Sequence, residues 1–218
     1  MGKCLASLLF VVTMATAGPA LGQAADVGLV NLVSGDVTYV AQGEMSGKVR
    51  PFMKVRDGDR INVAAGGQVR IVFFEGARQE LWTGPASFRA GRTAAETISG
   101  KTAEIKNLPA GVPQRLARIP ELVQSSKLGG SQLRGLPRQH KTSVDQQTTL
   151  TQARIAYEEM RQEMPADDIT PELYLYASLY EFLVYDEMKI IVAEMRRKQP
   201  DNQDVKALDA WVTSRISR

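Results

Sequence analysis

The chain changes its hydrophobic rhythm once. Between Val27 and Arg89, short apolar runs alternate with polar residues, and turn-forming pairs interrupt them every 8–12 residues or so. From Leu150 onward the apolar residues recur at spacings of three and four. A period of two belongs to strands, and a period near 3.6 to amphipathic helices. The sequence therefore predicts an α+β protein, with an all-β antiparallel sandwich or barrel-like N-terminal domain and a C-terminal α-helical, repeat-like bundle.

The strand half is expected over residues 25–98. Gly35-Asp36, Asp57-Gly58-Asp59, Ala65-Gly66-Gly67, Glu75-Gly76 and Gly84-Pro85 are its turns. Val69, Ile71 and Phe73 alternate with Arg70, Val72 and Phe74, so this strand is expected to be buried on both faces, with Phe73 in the core. Trp82 is read as a core residue too, or as part of an exposed glycan-contact surface with Phe88, Arg78 and Arg89.

Gly28, the Gly35-Asp36-Val37 turn, Gly58-Asp59, the Val69–Phe74 run, Gly76 and Gly84 together resemble the FecR-type domain over about 70 residues. That resemblance implies an extracytoplasmic β-module that makes protein or glycan contacts.

In the helical half, residues 145–218, Leu150, Ala153, Tyr157, Met160 and Met164 mark one helix face. Thr170-Pro171 reads as a helix start, followed by a stripe of Leu173, Tyr176, Tyr180 and Leu183. Met188, Ile191, Val192 and Met195 mark a third helix. Asp201 or Asn202 caps a fourth, with Val205, Leu208, Val212 and Ile216 inward. Glu159-Met160-Arg161 with Pro165 is echoed by Glu194-Met195-Arg196 with Pro200 at an offset of 35. This segment is similar to tetratricopeptide repeats, whose period is about 34. Tyr174, Phe182 and Tyr185 need not lie on the inner stripe, so they are the candidate partner-binding residues. Exposed tyrosines give a large contact area at low entropy cost.

Residues 99–144 carry Pro109, Pro113, Pro120 and Pro137 with Gly129-Gly130 and Gly135. Charge divides along the same lines. Residues 26–100 are near neutral, residues 101–141 hold eight basic and two acidic side chains, and residues 142–218 hold nine basic and fourteen acidic. The middle stretch is expected to be a basic, partly ordered interdomain linker with one short broken helix and independent folding on either side. The overall formal charge of +3 is not a nucleic-acid binder's balance.

Residues 1–24 read as an export signal. Lys3 precedes an apolar run from Leu5 to Ala17, and Gly22-Gln23-Ala24 has the small–x–small form of a cleavage site, with Ala15-Thr16-Ala17 as a second candidate. The expected location is periplasmic or secreted, where nucleotide-driven chemistry has no supply. Cys4, the one cysteine, falls inside that signal, so no disulfide is expected.

No catalytic pattern survives inspection. His140, the one histidine, reads as a solvated linker residue, so no histidine is placed for a Ser/His/Asp triad, and with no second His or Cys in the mature chain a His/Cys zinc site is excluded. Gly100-Lys101-Thr102 ends like a phosphate-binding loop, but Ala95 stands where its first glycine belongs. The carboxylate pairs Asp57/Asp59 and Asp167/Asp168 have turn and cap explanations, as do Asp36 and Glu75. No cofactor or metal is expected. The reading is a non-enzymatic envelope protein-interaction module. The alternative is a glycan- or peptidoglycan-binding envelope protein. Envelope proteins, or peptidoglycan and other polysaccharides, are the partners it implies.

Overall fold

The computed structural model describes residues 24–41, 45–129 and 143–217. The expected signal, Cys4, His140, Gly135 and Pro137 lie outside the described residues.

Ten strands form two antiparallel five-stranded sheets. The first has the order β10 (Glu104–Asn107), β7 (Arg78–Thr83), β6 (Gln68–Phe73), β1 (Asp26–Ser34) and β4 (Lys54–Arg56). The second has the order β3 (Ser46–Lys48), β2 (Val37–Val40), β5 (Arg60–Val63), β8 (Ala86–Ala90) and β9 (Ala95–Gly100). Val30, Ile71, Phe73 and Trp82 of the first sheet meet Val37, Ile61, Val63 and Phe88 of the second in one apolar core. The α+β expectation and the sandwich-like N-terminal half are both present. Two turn glycines are required by close approach. A Cβ on Gly84 would collide with the Ala64 carbonyl, and one on Gly76 with the Thr93 carbonyl.

Strand β6 is buried on both faces, as the alternation of Val69, Ile71 and Phe73 with Arg70, Val72 and Phe74 predicts. Val69, Ile71 and Phe73 point into the sandwich, while Val72 joins Leu29 of β1 in a second core shared with the helices. The molecule thus has three layers, with the first sheet in the middle.

The helices are α1 (Val112–Leu116), α2 (Ile119–Lys127), α3 (Ser143–Glu163), α4 (Thr170–Phe182), α5 (Tyr185–Lys198) and α6 (Gln203–Ile216). Helix α4 is central, with every residue from Thr170 to Tyr180 buried. A helix apolar on all sides belongs inside a protein, which is why its sequence shows little one-sidedness. Its stripe ends one residue earlier than the spacing suggests. Leu183 is the residue after the helix and is 39% exposed.

The linker expected over residues 99–144 is not what residues 99–129 form. They hold β10, α1 and α2, and Leu108, Val112, Leu116, Ile119 and Leu122 are buried in the core that also holds Leu29, Phe52 and Val72. Pro113 and Pro120 sit in the first turns of α1 and α2. There the missing N–H and fixed φ begin a helix instead of breaking it. The two expected halves therefore share one continuous core.

Candidate interaction surface

A buried polar seam sets the helices on the first sheet. Asn31 Nδ2 in β1 donates to Thr170 Oγ1 at the start of α4 (2.5 Å), and Thr170 Oγ1 donates to Gln79 Oε1 in β7 (2.6 Å). Gln79 Nε2 donates to Asp168 Oδ2 (2.5 Å), whose Oδ1 accepts the Thr170 backbone N–H (2.8 Å). Arg70 of β6 reaches Asp167 at 3.2 Å and Asp168 at 3.7 Å. Buried Glu172 receives Arg161 (3.0 Å) and Lys198 (2.6 Å). Gln199, after α5, donates to the Asn31 carbonyl (2.9 Å). Both loops that close the helical hairpins thus end on the sheet. Each carboxylate here is engaged by a cation or amide, the pairing that lets buried charges lie between a sheet and its helices. Asp59 has the expected turn role, accepting the Arg56 N–H at 2.9 Å, and burial raises its carboxyl above the usual range.

The hairpin α5–α6 repeats α3–α4 at an offset of 35 residues. Buried Met160, Leu173, Tyr176 and Ala177 correspond to buried Met195, Leu208, Trp211 and Val212. Exposed Ile155 corresponds to exposed Ile190. Asn202 caps α6, its Oδ1 accepting from the Asp204 and Val205 N–H groups at 3.0 and 3.2 Å.

Opposite the seam lies the α4–α5 corner, four apolar residues in a row from Phe182 to Tyr185. Leu183 takes φ 56, ψ 40, the left-handed conformation in which helices end most cheaply with glycine. Its N–H and that of Val184 bond back to the Tyr180 and Leu179 carbonyls, both at 3.2 Å. Phe182 and Tyr185 are half-buried beside it. Trp211 of α6 supports the corner, stacked on Tyr180 (5.2 Å between centroids) and edge-on to Tyr185 (5.9 Å), with the Arg215 guanidinium over its ring. Glu181 bridges Arg115 (3.1 Å) and Arg118 (2.6 Å) at the rim. Burial, with Tyr185 adjacent, pushes the Tyr180 hydroxyl up to about 12, so this hydroxyl is uncharged at neutral pH. The result is an apolar knob with a charged border.

Two of the three candidate partner-binding residues, Phe182 and Tyr185, therefore meet at this corner. The third, Tyr174, does not. It is 8% exposed, because α1 packs across α4 and lays Arg115 over its ring at 5.7 Å. Trp211 was not singled out by sequence reasoning, and Leu183 was assigned to the inner stripe of the helix. The helical spacing that placed Leu183 inward holds only while the backbone stays helical.

The four candidate glycan contacts do not form a surface. Trp82 and Phe88 stack at 4.1 Å inside the sandwich, both essentially buried. Trp82 Nε1 donates to Glu80 (3.0 Å), and Arg78 pairs with the same carboxylate (2.6 Å). A neutralised glutamate lets the indole N–H lie in the core, which is the reason Trp82 is inside. Arg89 alone is exposed, on the outer face of the second sheet.

Among the described residues no three His, Cys, Asp or Glu side chains are placed to hold a metal ion, and no helix is long and apolar enough to cross a membrane. No family model matches the chain, and neither a curated protein nor a solved structure is significantly similar to it.

Proposed function

We propose that the protein is a non-enzymatic, exported envelope module that holds a partner protein through the α4–α5 corner. The observation that carries this reading is Leu183. A large apolar side chain stands 39% exposed in a backbone conformation that glycine adopts without cost. Stability alone favours glycine there. An apolar residue flanked by half-buried Phe182 and Tyr185, rimmed by ion pairs, has the make-up of a binding hot spot with its polar border. The FecR-type pattern of the strand half, the tetratricopeptide-like offset of the helical half and the signal-like residues 1–24 support an envelope location and a scaffolding role. In this reading the sandwich is the platform, and the seam fixes the direction in which the corner points.

The test is capture of partners from an envelope extract by the purified chain and by Phe182→Ser and Leu183→Ser variants, with Ile190→Ser as a control. Loss of ~2 kcal/mol at a hot spot lowers capture about 30-fold. Both corner variants should lose the captured protein while the control keeps it, Leu183→Ser with its melting temperature unchanged and Phe182→Ser with the modest drop expected of a half-buried ring. Equal capture by all of them overturns the reading.

A further inference from the structure

The outer face of the second sheet lies on the far side of the sandwich from the helices and is open to solvent. The strand registers place Val40, Arg60, Arg89 and Glu96 side by side across β2, β5, β8 and β9, and all four are exposed. The next row holds Thr38, Asn62 and Ser87, with Ser87 Oγ donating to Asn62 Oδ1 at 2.8 Å. Arg60 and Arg89 are directly opposed, an arrangement of like charges that destabilises a sheet. Among the described residues neither guanidinium has an ion-pair or hydrogen-bond partner. Many other surface cations are paired, as Arg92 is with Glu75 and Arg154 with Glu187, although the side chains of Arg50 and Lys101 also have no partner among the described residues. Glu96 lies directly opposite Arg89 in the row, without an ion pair or hydrogen bond to it among the described residues. Among the described residues, both guanidinium groups are therefore open to an anionic ligand.

We propose that this face binds a carboxylate-bearing polysaccharide. The two guanidinium forks take up carboxylates in bidentate fashion. Thr38, Asn62 and Ser87 offer hydroxyl and amide groups at the spacing of a pleated sheet, suited to sugar hydroxyls. Val40 is the one apolar side chain in the two rows, so they offer little of the apolar anchoring on which peptide recognition relies. Its exposed rows carry no aromatic ring for stacking on a sugar, so affinity must come from charge, and neutral glycans are not ligands. The site is remote from the α4–α5 corner and stands or falls independently of it.

The probe is polygalacturonate, cast in a native gel at low ionic strength, with dextran and poly-L-glutamate gels alongside. The purified chain should be retarded by polygalacturonate and not by dextran, and retardation should fade as salt is raised. Arg60→Ser/Arg89→Ser should weaken binding about tenfold, the loss of two exposed charge contacts, with a melting temperature unchanged or raised. Arg89→Gln alone should give part of the loss, which keeps the test open if the double variant misfolds. Lysine at both positions should bind between wild type and the serine variant. Absence of retardation, or equal retardation of wild type and both variants, overturns the proposal. Equal retardation by poly-L-glutamate also overturns it and assigns the face to an acidic protein, and retardation by dextran removes the charge argument.

Discussion

Asn31 and Thr170 are hydrogen-bonded across 139 residues of sequence, from the middle of the first strand to the first turn of the central helix. Gln79 accepts from both residues and donates to Asp168, so strand, strand and helix start are tied at one point. Apolar packing tolerates small slips between a helix and a sheet. A buried polar network does not, because a slip leaves donors and acceptors unpaired in a medium without water. The seam therefore fixes the position of the helices more than it adds to their stability.

Asp168→Ala removes the hub of this network and leaves Gln79 short of an acceptor and Arg70, itself 3% exposed, with one remaining carboxylate. Stability should fall by ~3–5 kcal/mol, the usual cost of removing one partner from a buried charge pair. Urea unfolding followed by near- and far-ultraviolet circular dichroism measures it. A loss below ~1 kcal/mol would show that water reaches the seam.

Phe73→Ala should cost ~3–5 kcal/mol, since the ring is fully buried between the sheets. Because a shared core joins the first sheet to the helices, the helical signal should fall in the same transition as the tryptophan fluorescence. Two separated transitions in this variant would mean that the layers unfold independently.

What was legible follows from period and local chemistry. The Val69–Phe74 run announced a doubly buried strand, and Asp201-Asn202 announced a helix cap, which Asn202 supplies. Both depend on neighbours within a few residues. Pro113 and Pro120 were misread because a proline breaks or begins a helix according to its position in the turn, which spacing does not reveal. Asn31 reads as a polar break in a strand and Asp168 as a turn or cap residue, and nothing in the sequence joins them to Gln79, since the partners that make their burial favourable lie on other layers. Tyr174 seemed free for contact because the helix that covers it belongs to the stretch taken for a linker. The two opposed arginines required the register of β5 on β8, which alternation alone does not give.

Alkaline pH should destabilise the protein through its tyrosines. Burial raises the hydroxyls of Tyr157 and Tyr180 to about 12 and that of Tyr176 further. An unfolded tyrosine ionises near 10. Above that value the unfolded chain holds fewer protons than the folded one, so stability falls with rising pH. The contribution is complete below about pH 10 and is lost between roughly 10 and 12. Urea midpoints across that interval measure the loss, and Tyr180→Phe should flatten it. A midpoint independent of pH there would show that these hydroxyls are open to water.

Leu183→Gly separates conformation from contact at the corner. A non-glycine residue in the left-handed region carries a cost of ~1–2 kcal/mol. Glycine removes that cost but gives back part of it through the freedom of the unfolded chain and the loss of a partly buried side chain. The net should be a gain of ~0.5 kcal/mol or a change close to zero, read from the urea midpoint. The same variant removes the most exposed apolar group of the corner, so partner capture should fall. Stability held or raised together with capture lost would identify Leu183 as a residue kept for contact. A clear loss of stability would instead place its side chain among the packing residues of the α4–α5 turn, and the corner would then lose its claim to be the binding surface.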